Sequence, residues 1–243
     1  MIKRSIKLLF IALLIVIIYI LVKYQVILIN KIFVDEDKEI IGVDISSYQG
    51  NVDMKKIKDQ GIEFIYIKAT EGSTHEDLYF QKNWESAKEN NLLAGAYHFF
   101  SFDSSGKDQA LNFINSMGDN IEGRLIPAVD IEYYGNYKNN LSKDDITKEL
   151  KDFLDELENK YDVKPMIYTT SKFYNNYLKD DFKEHKMWIS SLFIPINFTY
   201  NDDWYIWQYI NKGKLDGYKG SEKYIDLNVL NKKYSLSDLI VGG

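Results

Sequence analysis

The chain has 243 residues, a formal charge of −6, no cysteine and three histidines. Absence of cysteine excludes disulfides, thiolate nucleophiles and Cys-ligated metals, and His75, His98 and His185 lack the spacing of a His-rich metal site. Residues 36–243 carry 25 basic against 35 acidic side chains, the wrong sign for a polyanion binder, so no nucleic-acid partner is expected.

The N-terminus is a different material from the rest. Lys3, Arg4 and Lys7 precede an unbroken apolar run over residues 8–22. As a helix that run reaches about 22 Å, short of a roughly 30 Å hydrocarbon core. Extended to residue 29, with Lys23 and Gln25 as interruptions, it reaches about 33 Å. No small-x-small cleavage site follows Val22, which favours an uncleaved anchor over a signal peptide. The basic cluster places the N-terminus in the cytoplasm and everything after residue 30 outside. The expected organisation is a cytoplasmic stub and signal-anchor over 1–35, then a single domain over 36–243. Cleavage would instead yield a secreted protein.

Alternating strands and helices follow. Residues 40–45 read as a strand and 52–60 as a helix stopped by Gly61. A strand at 64–69, a helix at 80–90 and a strand at 93–100 come next. The helix at 107–117 stops at Gly118 and a strand runs over 125–131. Ser142 is an N-cap for a helix to about Lys160, with Ile146, Leu150, Phe153, Leu154 and Leu157 on one face. A strand at 166–169 precedes a short helix at 172–178. Strands at 188–191, 205–210 and 224–229 close the chain without long helices between them. This alternation predicts a parallel sheet. Eight strands with about five helices predict an α/β, modified TIM-like barrel lacking some helices. No internal repeat is apparent, and only three prolines interrupt the chain.

In such a barrel, function gathers at the C-terminal ends of the strands. Asp44 interrupts the first strand. Tyr66 and Lys68 share a face of the second, and Tyr97 and Phe99 a face of the third, with His98 opposite. Asp130 and Glu132 alternate around Ile131, about 6.5–7 Å apart along one face. Asp226 sits in the last strand. Neighbouring buried carboxyls can divide labour, one kept protonated and one ionised, as glycosidic cleavage requires. Ordinary readings stand beside this. Strand-end acids are commonly turn residues or solvated edges. Lys68 and Glu71 can form a plain ion pair, His98 can be a satisfied core histidine, and Trp188, Trp204 and Trp207 can be packing. Pattern alone leaves both readings open.

Longer motifs are more specific. Gly42-Val43-Asp44-Ile45-Ser46 followed by Tyr48-Gln49-Gly50 resembles the opening motif of glycoside hydrolase family 25, the Chalaropsis-type lysozymes. In order, Phe64 to Gly72, Ala94-Gly95-Ala96-Tyr97-His98-Phe99 and Pro127-Ala128-Val129-Asp130-Ile131-Glu132 resemble its next three strand signatures. Ile167-Tyr168-Thr169, Trp188-Ile189, Trp207-Gln208-Tyr209 and Ile225-Asp226-Leu227-Asn228 complete the set, so the resemblance spans about residues 40–230.

The resemblance implies an N-acetylmuramidase acting on peptidoglycan glycan strands, cutting the β-1,4 bond between N-acetylmuramic acid and N-acetylglucosamine. By it, Glu132 is the general acid, Asp130 assists a substrate-derived oxazolinium, and Asp44 and Asp226 complete an acidic cluster. Tyr66, Lys68, Tyr97, Tyr168, Trp188 and Gln208 are matched cleft positions. Ile189-Ser190-Ser191-Leu192 departs from the family's smaller Ala-containing run and is read as subsite variation. No cofactor or metal is expected, because carboxylates suffice for sugar hydrolysis. The anchor at residues 8–29 would contact the membrane and fits a tethered wall-remodelling complex. Two other readings are a non-catalytic glycan-binding barrel and a chitinase-like hydrolase. The second would carry another Asp where Ala128 stands.

Overall fold

The computed structural model describes residues 2–23, 29–134, 142–200 and 202–242. The first helix, α1 (Ile2–Lys23), is long and apolar enough to cross a membrane, a test that a signal sequence also passes. The second half of the expected apolar segment, residues 26–28, lies outside the described residues. A 3-10 turn at Ile29–Ile32 leads into the barrel.

The strands are β1 (Ile41–Ile45), β2 (Ile62–Glu71), β3 (His75–Glu76), β4 (Leu93–Phe99), β5 (Ala128–Asp130), β6 (Met166–Thr170), β7 (Met187–Ser190), β8 (Ile206–Gly213) and β9 (Ile225–Leu230). Between them run α2 (Met54–Asp59), α3 (Phe80–Glu89), α4 (Gly106–Met117), α5 (Lys143–Tyr161) and α6 (Ser171–Phe173), the last continuing into a π-helical turn at Tyr174–Leu178. The strand order is β1-β9-β8-β7-β6-β5-β4-β2, and β1 pairs with β2 to close the barrel. The two-residue β3, absent from the sequence reading, folds back on β2 as a short hairpin.

One expectation is corrected. The sheet is not wholly parallel: β9 runs antiparallel to both β8 and β1. A parallel pair needs a crossover of about a dozen residues, usually helical, and no helix lies between β8 and β9. The reversal matters for function. It brings the beginning of β9, where Asp226 sits, to the same mouth as the ends of the other strands. The fourth strand is also shorter than expected; Leu125 instead makes an isolated antiparallel bridge to Ile240.

Helix boundaries follow local chemistry. Ser142 accepts from the Asp145 N–H at 3.4 Å and caps α5. Gly61 and Gly118 take φ of +88° and +80° at helix ends, which glycine adopts without a Cβ penalty. The apolar stripe Ile146, Leu150, Phe153, Leu154 and Leu157 is buried.

Alternation divides the strands into two apolar layers. Val43, Ile65, Ile67, Ala94, Ala96, Val129, Ile167 and Ile189 pack outward in the main core, which includes residues of the surrounding helices. Phe64, Tyr66, Ala128, Met166, Tyr168, Trp188, Ile206 and Leu230 belong to a second cluster that fills the barrel. Its aromatic bulk is matched by two glycines. A Cβ on Gly42 would stand 2.3 Å from the Phe64 ring, and one on Gly95 would stand 2.3 Å from the Tyr66 ring. The interior is a packed plug on which a cleft can be floored.

Candidate active site

The open end of the plug is a cleft of about 500 Å3. Strand periodicity builds it: continuing the inward-facing rows upward gives Asp44 on β1, Lys68 on β2, Tyr97 on β4, Asp130 on β5, Thr170 on β6, Ser190 on β7 and Asp226 on β9. All line the cleft, with Glu132 just past β5. Nine of the ten expected site residues therefore meet there: Asp44, Lys68, Tyr97, Asp130, Glu132, Tyr168, Trp188, Gln208 and Asp226.

Tyr66 is the exception. Its ring is fully buried beneath the floor, tilted against Trp188 at 4.9 Å, and its hydroxyl donates to the Ile126 carbonyl at 3.1 Å. It supports the cleft and does not line it, because it sits one layer down the same face as Lys68.

A hydrogen-bond network fixes Asp44. Its Oδ2 accepts from Asn228 Nδ2 at 2.7 Å and from Gln208 Nε2 at 3.1 Å. Both amides are held in that orientation. Trp188 Nε1 donates to Asn228 Oδ1 at 2.8 Å. Tyr168 Oη and Ser190 Oγ donate to Gln208 Oε1 at 3.0 and 2.8 Å. Sequence reasoning gave no site role to Asn228 or Thr170, and touched Ser190 only within a run read as subsite variation. Each stands two residues beyond a residue it did name, so period two was the available signal.

Four largely buried carboxyls and the exposed Glu222 share the cleft with one lysine, and the buried four cannot all ionise easily. Burial pushes Asp44 up, opposed by its donors Asn228 and Gln208. Asp130 is driven well above the ordinary range by burial, then by Glu132 and Asp44. Its Oδ1 is buried without a hydrogen-bond partner. Asp226 is raised by burial and by the neighbouring Asp44. Glu132 rises to about 7, through burial first and the charge of Asp44 second. Asp44, with two amide donors, is thus the best-stabilised anion, and Glu132 is a carboxyl that stays protonated near neutrality.

Two ordinary readings also have their answer. Lys68 Nζ meets Glu71 Oε2 at 2.6 Å and lies over the Phe99 ring at 4.8 Å. His98 faces away from the cleft, fully buried. Its Nδ1 lies 2.7 Å from Thr70 Oγ1 and its Nε2 3.1 Å from Gln109 Oε1. Gln109 donates its amide to the Ser101 and Ser104 carbonyls, so its Oε1 is an acceptor and the proton belongs on Nε2. Burial lowers His98 to about 3 and keeps it neutral. Among the described residues no group of His, Asp and Glu side chains could hold a metal ion.

The profile of "Glycosyl hydrolases family 25" matches residues 43–218. The chain belongs to glycosyl hydrolase family 25. Relatives and a solved structure match most of its length. "Uncharacterized protein YegX" of Escherichia coli (strain K12) is 34% identical over 195 residues, 78% of this chain and 69% of that protein. "Lysozyme M1" of Streptomyces globisporus is 30% identical over 205 residues, 78% of this chain and 67% of that protein. The structure of a family 25 glycosyl hydrolase from Bacillus anthracis superposes with a TM-score of 0.75 at 43% identity, covering 82% of this chain and 93% of that one. The family 25 barrel, with eight strands and five helices around it among the described residues, is therefore the architecture of this chain. Asp226 falls beyond the matched span, in the antiparallel β9 that completes its acid cluster.

Proposed function

We propose that this family 25 glycosidase is an N-acetylmuramidase, cutting the β-1,4 bond between N-acetylmuramic acid and N-acetylglucosamine in peptidoglycan. The observation that carries the assignment is a protonatable Glu132 beside a second carboxyl, Asp130, at the mouth of a closed barrel. Glu132 gives its proton to the glycosidic oxygen as the C1–O bond breaks. The carbonyl oxygen of the substrate's own N-acetyl group closes on C1, and Asp130, next to Glu132, stabilises the positive oxazolinium. Water then opens that ring, returning a proton to Glu132. Asp44, the carboxylate with two amide donors, holds the negative field that favours developing positive charge, with Asp226 next to it. Tyr97, Tyr168 and Trp188 form an aromatic wall, and Lys68 and Gln208 add polar contacts to the sugars. The lysozyme name of a relative with matched coverage supports the same bond.

We further propose that α1 is an uncleaved anchor, that residues 1–35 are its stub and span, and that the barrel works outside the cytoplasm on the wall.

The test is mass spectrometry of fragments released from purified peptidoglycan by the full chain in detergent, wild type beside Glu132→Gln. Muropeptides with reducing muramic acid ends, lost in the folded variant, are expected. Reducing glucosamine ends would refute the bond, and unchanged release by Glu132→Gln would refute the acid.

A further inference from the structure

The flank of β7–β8 lacks a long covering helix. Its cover is the stretch over residues 29–40. Asn30 is buried there, and its Nδ2 donates to the Ser191 carbonyl at 2.8 Å and the Tyr209 carbonyl at 2.9 Å. Val34 enters the main core. Tyr209 Oη donates to Glu36 Oε1 at 2.9 Å, and Lys232 pairs with Glu39 at 3.0 Å. The segment is a strap. It meets the barrel at Ser191, next to the cleft residue Ser190, and descends to the opposite end, where β1 begins.

Beside the strap, large apolar side chains stand exposed among polar ones such as Asn197 and Lys232. Ile32, Phe33, Phe193, Ile194 and Phe198 are all exposed, Ile32 and Phe198 by 79% and 73%. Phe33 shares one hollow with Pro195 and Ile196, and Phe193 and Ile194 share the next with Thr199. Among the described residues outside α1, the other comparably exposed large apolar residues, Tyr48, Leu78 and Leu111, lie on three separate segments. Clustered exposure of this kind marks an interaction surface.

The chain itself indicates the occupant. Ile29 follows the last residue of α1, Lys23, by six positions, at most about 20 Å of extended backbone. Because the strap is hydrogen-bonded to the barrel, this flank cannot move farther than that from the end of α1. We propose that the β7–β8 flank rests on the bilayer, with Ile32, Phe33, Phe193, Ile194 and Phe198 in the interfacial layer of the outer leaflet. The cleft mouth is thereby held beside the membrane, and the glycan within reach is the membrane-proximal layer of the wall. This rests on the reading of α1 as an anchor.

The native absence of cysteine permits the test. Single-cysteine variants of the full chain, Ile194→Cys, Phe198→Cys and the control Leu111→Cys on α4, carry an environment-sensitive fluorophore. They are reconstituted in phosphatidylcholine–phosphatidylglycerol vesicles containing nitroxide-labelled lipid. The expected result is resistance to carbonate extraction, loss of most emission at 194 and 198, and no loss at 111. Adding Ile32→Glu and Phe198→Glu should abolish quenching of the probe at 194, separating docking by the protein from insertion by the dye. Carbonate resistance without quenching at 194 and 198 would overturn the docked flank and leave the anchor standing. Release by carbonate would overturn the anchor, and the inference with it. Probes at 194 and 198 that ignore lipid yet respond to added muropeptides would make this surface part of the glycan cleft and overturn its contact with the bilayer.

Discussion

At the residue scale, the acid cluster sets the pH dependence. Glu132, raised to about 7, must be protonated to act, so kcat should fall as pH rises through about 7. The acidic limb belongs to the carboxyls that must be anionic, and Asp44 is the one best provided with donors. Removing the donor in Asn228→Ala should raise the Asp44 pKa further and move that limb to higher pH, while leaving the Glu132 limb nearly in place. A full pH profile of muropeptide release separates the two; coincident limbs in wild type and variant would contradict the assignment. The same shift has a cost in stability. A carboxyl raised in the folded state binds more protons there than in the unfolded chain, so stability falls as pH rises from about 4.5 to about 7. Glu132→Gln should therefore stabilise the fold at pH 7 by on the order of 1–3 kcal/mol, with little gain at pH 4. Denaturant melts at the two pH values check this.

At the element scale, close packing inside the barrel holds the aromatic floor. Tyr66 can lie beneath the cleft, packed against the lining residue Trp188, because Gly95 leaves room for the Tyr66 ring. Gly95→Ala should force that ring against its neighbours and cost about 1–3 kcal/mol, read as a lower denaturant midpoint. Activity should fall as well, since Trp188 orients Asn228 and Asn228 orients Asp44. A variant with unchanged midpoint would mean that the floor yields more easily than its packing implies. The antiparallel β9 has a different role. It places Asp226 at the mouth and Leu230 at the base, so one short strand both completes the acid cluster and plugs the barrel.

At the scale of the whole molecule, the strap joins two materials, an apolar helix and an acidic barrel. Asn30 makes two buried hydrogen bonds across the chain, to Ser191 and Tyr209. Asn30→Ala should destabilise the protein by about 1–3 kcal/mol, seen as a lower melting temperature, with the pH profile unmoved because no cleft carboxyl changes its surroundings. A displaced profile would show that the strap also tunes the cleft.

Much of this protein was legible as sequence. Periodicity is local, so the strand–helix alternation, the Ser142 cap, the glycine stops at 61 and 118, and the shared face of Asp130 and Glu132 needed only the chain's own order. The motifs from Gly42 to Asn228 carry the likeness to family 25 in the order of residues alone. Tertiary structure decided what depends on closure and depth. The direction of β9 follows from how the barrel closes, which no residue in 225–230 encodes locally. Tyr66 and Lys68 share a strand face, yet only their height in the barrel makes one a buried support and the other a cleft residue. The raised Glu132 and the orientation of Asp44 exist because burial and the amides of Gln208 and Asn228, far along the chain from Asp44, converge on one mouth.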